Sequence, residues 1–313
     1  MKKTEIVNNL IFFVFSIFLT IYFIGPNNSW FNQTDWLYGA GDLTNAQLSW
    51  QYFLNDIWHF PIGKNPNYGL EVSNSIVFTD NIPLLAIFFK IFAYFLPKNF
   101  QYFSLWIFIC FFLQLFFSYN LVYKITKNKL FSFIASFLFL FCPFLLFRLT
   151  HHFSLGAHWL ILYGFYIAFF IENKKNLHWY IIILLSLFIH LYFTVMIFII
   201  NFCFAFETAY KNKSFKVEIF DLFYKFTFAI FVMYIIGYFE SSPINAVSSG
   251  YGIFKIDLLS FFDPQISGQN SWSIFLNDLP GTHLEGFTYI GLGNILIIFL
   301  SLFLLNSCSW LSK

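Results

Sequence analysis

The stretch FQYFSLWIFICFFLQLFFSYNLVYKITKNK, residues 100–129, decides the fold. It carries no charge from Phe100 to Tyr123 and then meets Lys124, Lys127 and Lys129. A helix needs about 20 mostly apolar residues to cross roughly 30 Å of hydrocarbon, and this run supplies them. Loops on the cytoplasmic side of a membrane are rich in Lys and Arg. The lysines therefore predict that this helix runs from outside to inside.

Composition agrees with that reading. Of 313 residues, 59% are apolar and 10% charged, with a net charge of +2. Soluble domains are about 45–50% apolar and about 25% charged. An ordinary soluble enzyme, a disordered chain and a nucleic-acid binder with a basic stripe are excluded. The 51 phenylalanines are read as apolar filler rather than as an aromatic motif. Cys110, Cys142, Cys203 and Cys308 fall in or beside apolar runs without ligand spacing, and read as small buried hydrophobes.

The topology follows by working outward. Residues 6–24 form an uncleaved anchor behind Lys2 and Lys3, with the N-terminus in the cytoplasm. Residues 27–99 form a large external loop whose many Trp and Tyr residues predict folding at the membrane surface. Within it, residues 82–96 are apolar but short, bracketed by Pro83 and Pro97 with Lys90 inside. They read as an interfacial helix, with a re-entrant dip as the competing reading. Residues 130–147 return outward to a corner at Arg148, and residues 157–171 go back in to Lys174 and Lys175. Residues 178–210 are too long for one crossing and are read as two short helices turning at His190-Leu191-Tyr192. Residues 217–239 go out, residues 240–286 make a second external loop, and residues 287–305 return. The expectation is one all-α membrane domain over 1–313 with about eight transmembrane helices.

Charge placement tests this layout. Lys2, Lys3, Lys124, Lys127, Lys129, Lys174, Lys175, Lys211, Lys213, Lys216 and Lys313 fall inside, against Lys64, Lys90, Lys98, Arg148 and Lys255 outside. Lys225 lies within a span, where it snorkels or pairs with Asp221 one turn away.

Candidate chemistry gathers in the external segments. Asp42, in Gly41-Asp42-Leu43-Thr44, and Asp80, in Phe78-Thr79-Asp80-Asn81-Ile82-Pro83, read either as helix N-caps or as carboxylates available for general-base work. Asp35 and Asp56 read as solvated loop acids. Arg148, His151, His152 and His158 form the sharpest basic group. They read as snorkelling and capping side chains, or as a pocket for a phosphate or pyrophosphate headgroup, for which Arg offers a planar fork. A metal pair on His152 and His158 ranks lower, since no Cys and no firm third ligand accompany it. His190 reads equally as a pocket residue or a helix-end group. Lys255, in Gly250-Tyr251-Gly252-Ile253-Phe254-Lys255, is a further phosphate candidate.

Several stretches together resemble a known group. They are Gly41-Asp42 followed by Trp50-Gln51-Tyr52-Phe53; Trp58-His59-Phe60-Pro61-Ile62-Gly63; Phe78 to Ala86; Phe100-Gln101-Tyr102; Arg148 with His151-His152; and Gly250-Tyr251-Gly252 with Asp257-Leu258-Leu259-Ser260. Their order is similar to an uncharacterised bacterial membrane-protein family placed in the GT-C superfamily of polytopic glycosyltransferases. The resemblance implies transfer of a sugar from a polyprenyl-phosphate donor to a glycan, lipid or protein acceptor outside a bacterial inner membrane. It implies a catalytic carboxylate at Asp42, with Asp80 second, and lipid-phosphate binding by Arg148, His151 and His152. No cofactor is expected beyond a divalent cation that such a carboxylate could anchor, and no nucleic-acid partner. The chain ends soon after the eighth expected helix, where relatives of this superfamily often continue, so a fragment or shortened member is one expectation. A transporter or flippase of a lipid-linked or small solute, and a non-catalytic assembly protein, are the other readings.

Overall fold

The computed structural model of the chain describes residues 3–26, 31–39, 41–69, 74–172, 175–240, 258–262 and 289–307. The centre of the molecule is α4 (Phe103–Thr126), which packs on α1 (Lys3–Ile24), α5 (Lys129–Leu140) and α7 (Trp159–Phe170). Small side chains let these backbones approach: Ser16 and Thr20 on α1, Ser104 and Ser118 on α4, and Ser132, Ala135 and Ser136 on α5 are all buried. Aromatic rings fill the space between them. Phe12 lies 5.4 Å from the Phe133 ring and 5.7 Å from that of Tyr119. Two further helices, α9 (Leu191–Asn212) and α10 (Phe215–Ile236), pack on each other and on α8 (Lys175–Ile189), and α9 joins the bundle through α7.

Among the described residues, five helical segments are long and apolar enough to cross a membrane, and a bent pair makes a sixth. They mark the chain as an integral membrane protein. The bent pair is α5 and α6 (Pro143–His151), which meet at 43° where one straight helix over residues 130–147 was expected. The cause is Pro143, which has no N–H to give to Phe139, four residues back. Gln114 of α4 supplies the missing donor, its Nε2 reaching the Phe139 carbonyl at 3.2 Å. The break at His190 falls where the sequence predicts it, and the His190 Nδ1 caps α9 by accepting the Tyr192 amide. However, α8 has 15 residues and spans about 22 Å at 1.5 Å per residue. It and α11 (Leu292–Ser307) are shorter apolar helices than the five.

The polar signals at helix ends behave as expected. Lys127 ends α4 and Lys213 ends α9, each in the left-handed conformation, and Gly237 does the same for α10. Lys225, fully buried, pairs with Asp221 one turn earlier. Cys110 is buried, but Cys203 is exposed, contrary to expectation. The buried stripe of α9 runs through Phe193, Ile197, Asn201 and Ala205, and position 203 falls off it. Cys308 lies outside the described residues.

The segment between α1 and α4 is a folded layer. It holds α2 (Gly41–Asn55), a two-stranded antiparallel pair β1 (Lys64–Asn65) and β2 (Asn74–Ser75), and α3 (Pro83–Ile91). The strands were not anticipated, because two residues each give no readable alternation. α3 has nine residues, about 14 Å, and packs on α2 and α8. Lys90, the charge inside its apolar run, is buried rather than set at a headgroup surface. Its Nζ donates to the Ile57 carbonyl at 3.1 Å and lies 3.9 Å from the centre of the Phe53 ring. Burial pulls the Lys90 ammonium down to about 8, against the opposing charge of Asp56. Asp56 is itself held, not solvated: its carboxylate meets the Ile57 amide at 2.8 Å and the His59 ring at 3.1 Å. Likewise Trp50 belongs to the core rather than to an aromatic belt. It is fully buried and donates its indole N–H to the Phe100 carbonyl at 2.9 Å.

This layer is fastened to the helices by backbone. The amides of Ile62 and Gly63 donate to the carbonyls of Ile235 and Ile236, at 2.9 and 3.0 Å, satisfying the last turn of α10. Lys64 and Glu240 form an ion pair at 2.9 Å beside this contact. A Cβ on Gly63 would lie 2.3 Å from the Ile236 carbonyl oxygen, so only glycine fits. Gly63→Ala is expected to lower stability by roughly 1–3 kcal/mol, read as a lower thermal midpoint in detergent. Gly41→Ala, with nothing within 4 Å of the added carbon, is expected to leave that midpoint in place.

Candidate functional site

A chain of buried polar groups runs from β1 to the start of α3. Asn65 Nδ2 donates to Ser49 Oγ at 3.2 Å, and Asn81 Nδ2 donates to Thr79 Oγ1 at 2.8 Å. Ser49 and Thr79 share a hydrogen bond of 2.8 Å, and Thr79 can also donate to the Ile76 carbonyl at 3.3 Å. With Ser49 donating to Thr79, every hydroxyl in the chain both gives and accepts. The Tyr102 hydroxyl donates to the Asn81 carbonyl from the other side. This clamp holds an unusual backbone: Asp80 has φ 58° and Ile82 has φ 48°, the left-handed region that a β-branched residue rarely enters. Such strain costs about 1–3 kcal/mol and persists where surrounding contacts over-determine it, often at functional sites.

The result of that turn is the placement of the Asp80 carboxylate. It does not cap α3, whose N-cap position is Ile82 without a side-chain bond. Instead Oδ1 accepts both the backbone amide of Ser154, at 3.0 Å, and the Ser154 hydroxyl. Oδ2 is buried and has no hydrogen-bond partner. Burial pushes the Asp80 carboxyl up to about 6, while the two Ser154 hydrogen bonds and nearby His152 pull it down. A carboxylate with one oxygen saturated, the other unpaired and a titration close to neutrality is suited to taking a proton.

Asp80 lines a cavity of about 350 Å³ together with Asp42, Asn45, His152, His190 and Tyr238. Asp42 lies in the first turn of α2 rather than ahead of it, because the helix already begins at Gly41. Its carboxylate is 3.7 Å from His152 Nε2, an ion-pair distance when that ring is protonated. His190 presents the other imidazole. Its Nδ1 accepts an amide, so the neutral ring carries its proton on Nε2 as a donor. Burial, with the charge of His152, lowers His190 to about 4. Asn45 is oriented by the Tyr68 hydroxyl, and Tyr238 donates to the Leu187 carbonyl at 2.7 Å.

The basic corner is divided by the fold. Only His152 reaches this cavity. His151 is exposed, stacks on Phe147 at 4.4 Å, and holds its Nδ1 near Thr150 Oγ1 and the Phe147 carbonyl. His158 lines a different cavity, with its ring 5.1 Å from that of Phe144. Arg148 lies one turn before His152, whose amide donates to its carbonyl at 2.7 Å. Among the described residues, no three His, Cys, Asp or Glu side chains converge as metal ligands. Lys255, Asp257 and the glycines around Tyr251 lie outside the described residues. Ser154 was missed in the sequence. A serine in Phe153-Ser154-Leu155-Gly156 carries no local sign of a carboxylate partner 74 positions away.

Replacing Ser154 removes a donor that stabilises the ionised carboxylate. In an infrared pH titration of the carboxyl band, Ser154→Ala is expected to move the Asp80 midpoint above its value near 6. The unperturbed carboxyl titrates near 3.8, so the folded state binds more protons than the unfolded one between about pH 4 and 6. The contribution of Asp80 to stability therefore falls as pH rises through that window, and falls further in Ser154→Ala.

No curated protein and no solved structure matches the chain. The model of one family does match, over residues 13–312, and its description is "Domain of unknown function (DUF6311)". That match takes in every helix from the middle of α1 to α11 as well as the cavity between them, and the chain belongs to the DUF6311 family.

Proposed function

We propose that the chain is a membrane glycosyltransferase of GT-C type, moving a sugar from a polyprenyl-phosphate donor to an acceptor at the outer face of a bacterial inner membrane. One observation carries this reading: the polar cavity meets an apolar groove at a shared residue. Leu191 lines both the 350 Å³ cavity and an open groove of about 1080 Å³ between α9 and α10. At the other helix, Tyr238 faces the cavity and its neighbour Phe239 the groove. The groove walls are Val195, Phe198, Phe202, Phe223 and similar side chains. A substrate with a charged head and a long hydrocarbon tail meets both environments at once.

The chemistry assigned to the cavity is a displacement. The acceptor hydroxyl gives its proton to the Asp80 carboxylate as its oxygen bonds the anomeric carbon. The bond from that carbon to the phosphate oxygen breaks, and the electron pair leaves with the lipid phosphate. His152, paired with Asp42, and the Nε2–H of His190 supply donors to the phosphate as its charge develops. The geometry favours Asp80 over Asp42 as the base, since Asp80 is buried and held whereas the Asp42 side chain is 56% exposed. Arg148 is assigned to the phosphate from outside the cavity, and Lys255 remains a further phosphate candidate from the sequence. The topology that accompanies this reading has about eight crossings, α8 and α11 being short ones, with the N-terminus and the lysine-bearing helix ends in the cytoplasm.

Transfer of labelled sugar from polyprenyl-phosphate donors in membranes tests the assignment. Asp80→Asn is expected to lower transfer by about 10²–10⁴-fold, the usual contribution of a general base, with Asp42→Asn lowering it less. Wild-type transfer is expected to rise with pH around the Asp80 titration near 6. Full transfer by Asp80→Asn would remove Asp80 from the chemistry. Movement of the intact donor across the bilayer without transfer would favour the flippase reading.

A further inference from the structure

The C-terminal end of α2 borders an open depression of about 510 Å³, within the roughly 300–1,000 Å³ of small-molecule sites. Its described walls are Gln51, Tyr52 and Asn55 of α2, Asp56 just beyond that helix, and Asn67 from the turn after β1. Three carboxamides, one carboxylate and one aromatic ring therefore face one space. Among the described residues, no aliphatic and no cationic side chain lines it.

These side chains are open to water. Tyr52, Asn55 and Asn67 are exposed, and Gln51 and Asp56 are half-buried. Several are also held in place. Asn55 Nδ2 donates to the Gln51 carbonyl at 2.8 Å, which leaves Oδ1 as an acceptor. Gln51 Nε2 lies 3.4 Å from the Phe100 carbonyl, which orients that amide in the same way. The two Asp56 oxygens meet the Ile57 amide and the His59 ring, and each keeps a further lone pair. The Tyr52 ring is 49% exposed and lies 5.7 Å from the ring of Tyr68, whose hydroxyl is anchored on Asn45. The depression thus presents positioned polar groups beside a supported aromatic ring.

We propose that this depression binds a neutral sugar ring, its hydroxyls pairing with Gln51, Asn55, Asp56 and Asn67 and its C–H face resting on Tyr52. A sugar hydroxyl both donates and accepts, which suits acceptor oxygens and the two-sided amide of Asn67. The C–H bonds of a sugar carry slight positive charge and meet the negative face of an aromatic ring. Other ligands fit less well. An anion meets Asp56 with no lining cation to offset it. A calcium ion takes about six to eight oxygens, and the one carboxylate here already has both oxygens engaged. An apolar chain leaves four polar side chains without a partner. The inference stands apart from the transferase reading, because the depression shares no lining residue with the Asp80 cavity. From Asn45 at that cavity to Asn55 here is about 15 Å along α2 at 1.5 Å per residue.

Saturation-transfer NMR on the full chain in lipid nanodiscs tests this, with empty nanodiscs as the blank. The probes are linear trisaccharides of glucose, of mannose and of N-acetylglucosamine, with sorbitol as an open-chain polyol. The expected result is transfer to the ring C–H protons of at least one trisaccharide and none to sorbitol. Tyr52→Ala and Asn67→Ala are each expected to weaken that binding by about fivefold. Both side chains are exposed, so both variants are expected to keep the wild-type thermal midpoint. Absence of transfer to all three trisaccharides overturns the proposal, as does equal transfer to sorbitol. Trisaccharide binding that is unchanged in both variants overturns it too, and places the sugar elsewhere on the chain. No sugar is transferred in this measurement, so a failed transferase assay leaves its outcome unaffected.

Discussion

The hydrogen bonds from Ser154 to Asp80 Oδ1 join the two parts of this molecule that carry polar groups. Asp80 belongs to the layer between the first helix and α4, and Ser154 to the approach to α7. That contact adds to the clamp of Thr79, Asn81 and Tyr102 around the left-handed backbone at Asp80 and Ile82. The same contact brings His152 to the carboxylate, because His152 is two residues before Ser154 on the same short connection. Its energetic weight comes from burial. A carboxylate that accepts two hydrogen bonds ordinarily titrates low, yet Asp80 stands near 6, so desolvation is the larger effect. The fold keeps an ionisable group where ionisation is unfavourable, and that is the kind of site in which a proton can be exchanged near neutral pH.

Much of the helical frame is legible in the sequence, because it is written in hydropathy and lysine. The α4 run ends at Lys124 and Lys127, and the break between α8 and α9 is signalled by a polar His190 inside an overlong apolar stretch. The bend between α5 and α6 was less legible. Pro143 marks it, but the apolar run continues through it, and the donor that makes the break tolerable comes from Gln114 on another helix. Lys90 shows the same limit. A lysine in an apolar run signals a surface when only neighbours in sequence are considered. Here Phe53, Ile57 and Trp58 fold over it and convert it into a buried donor.

The candidate site was legible in residue type and not in partnership. Asp42, Asp80, His152 and His190 all stand out as polar residues near the ends of apolar runs, and the cavity gathers all four. His151 and His158 stand out equally, yet one turns to solvent and the other to a different cavity. Helical geometry accounts for part of that division. His151 is the last residue of α6 and follows its outer face, whereas His152 has left the helix with extended backbone and turns inward. Adjacent histidines in a sequence thus need not share a site, and only the helix end decides which one does.

Hydrogen-bond pairing also clarifies why polar groups sit where they do in so apolar a chain. Every polar atom taken from water must be paired or be costly. Around Asp80 the hydroxyls of Ser49, Thr79 and Tyr102 are paired within the protein, while Asn65 Oδ1, Asn81 Oδ1 and Asp80 Oδ2 have no hydrogen-bond partner. Around Gln114 the donor is consumed by the bend at Pro143 and the acceptor is left over. In both places a group needed for folding has a second atom that folding does not use. A chain that places a carboxylate or an amide in an apolar interior for structural ends alone could pair it more fully, as Lys225 is paired with Asp221 and Asn176. The unsaturated half is therefore the part of each group that internal pairing leaves unused.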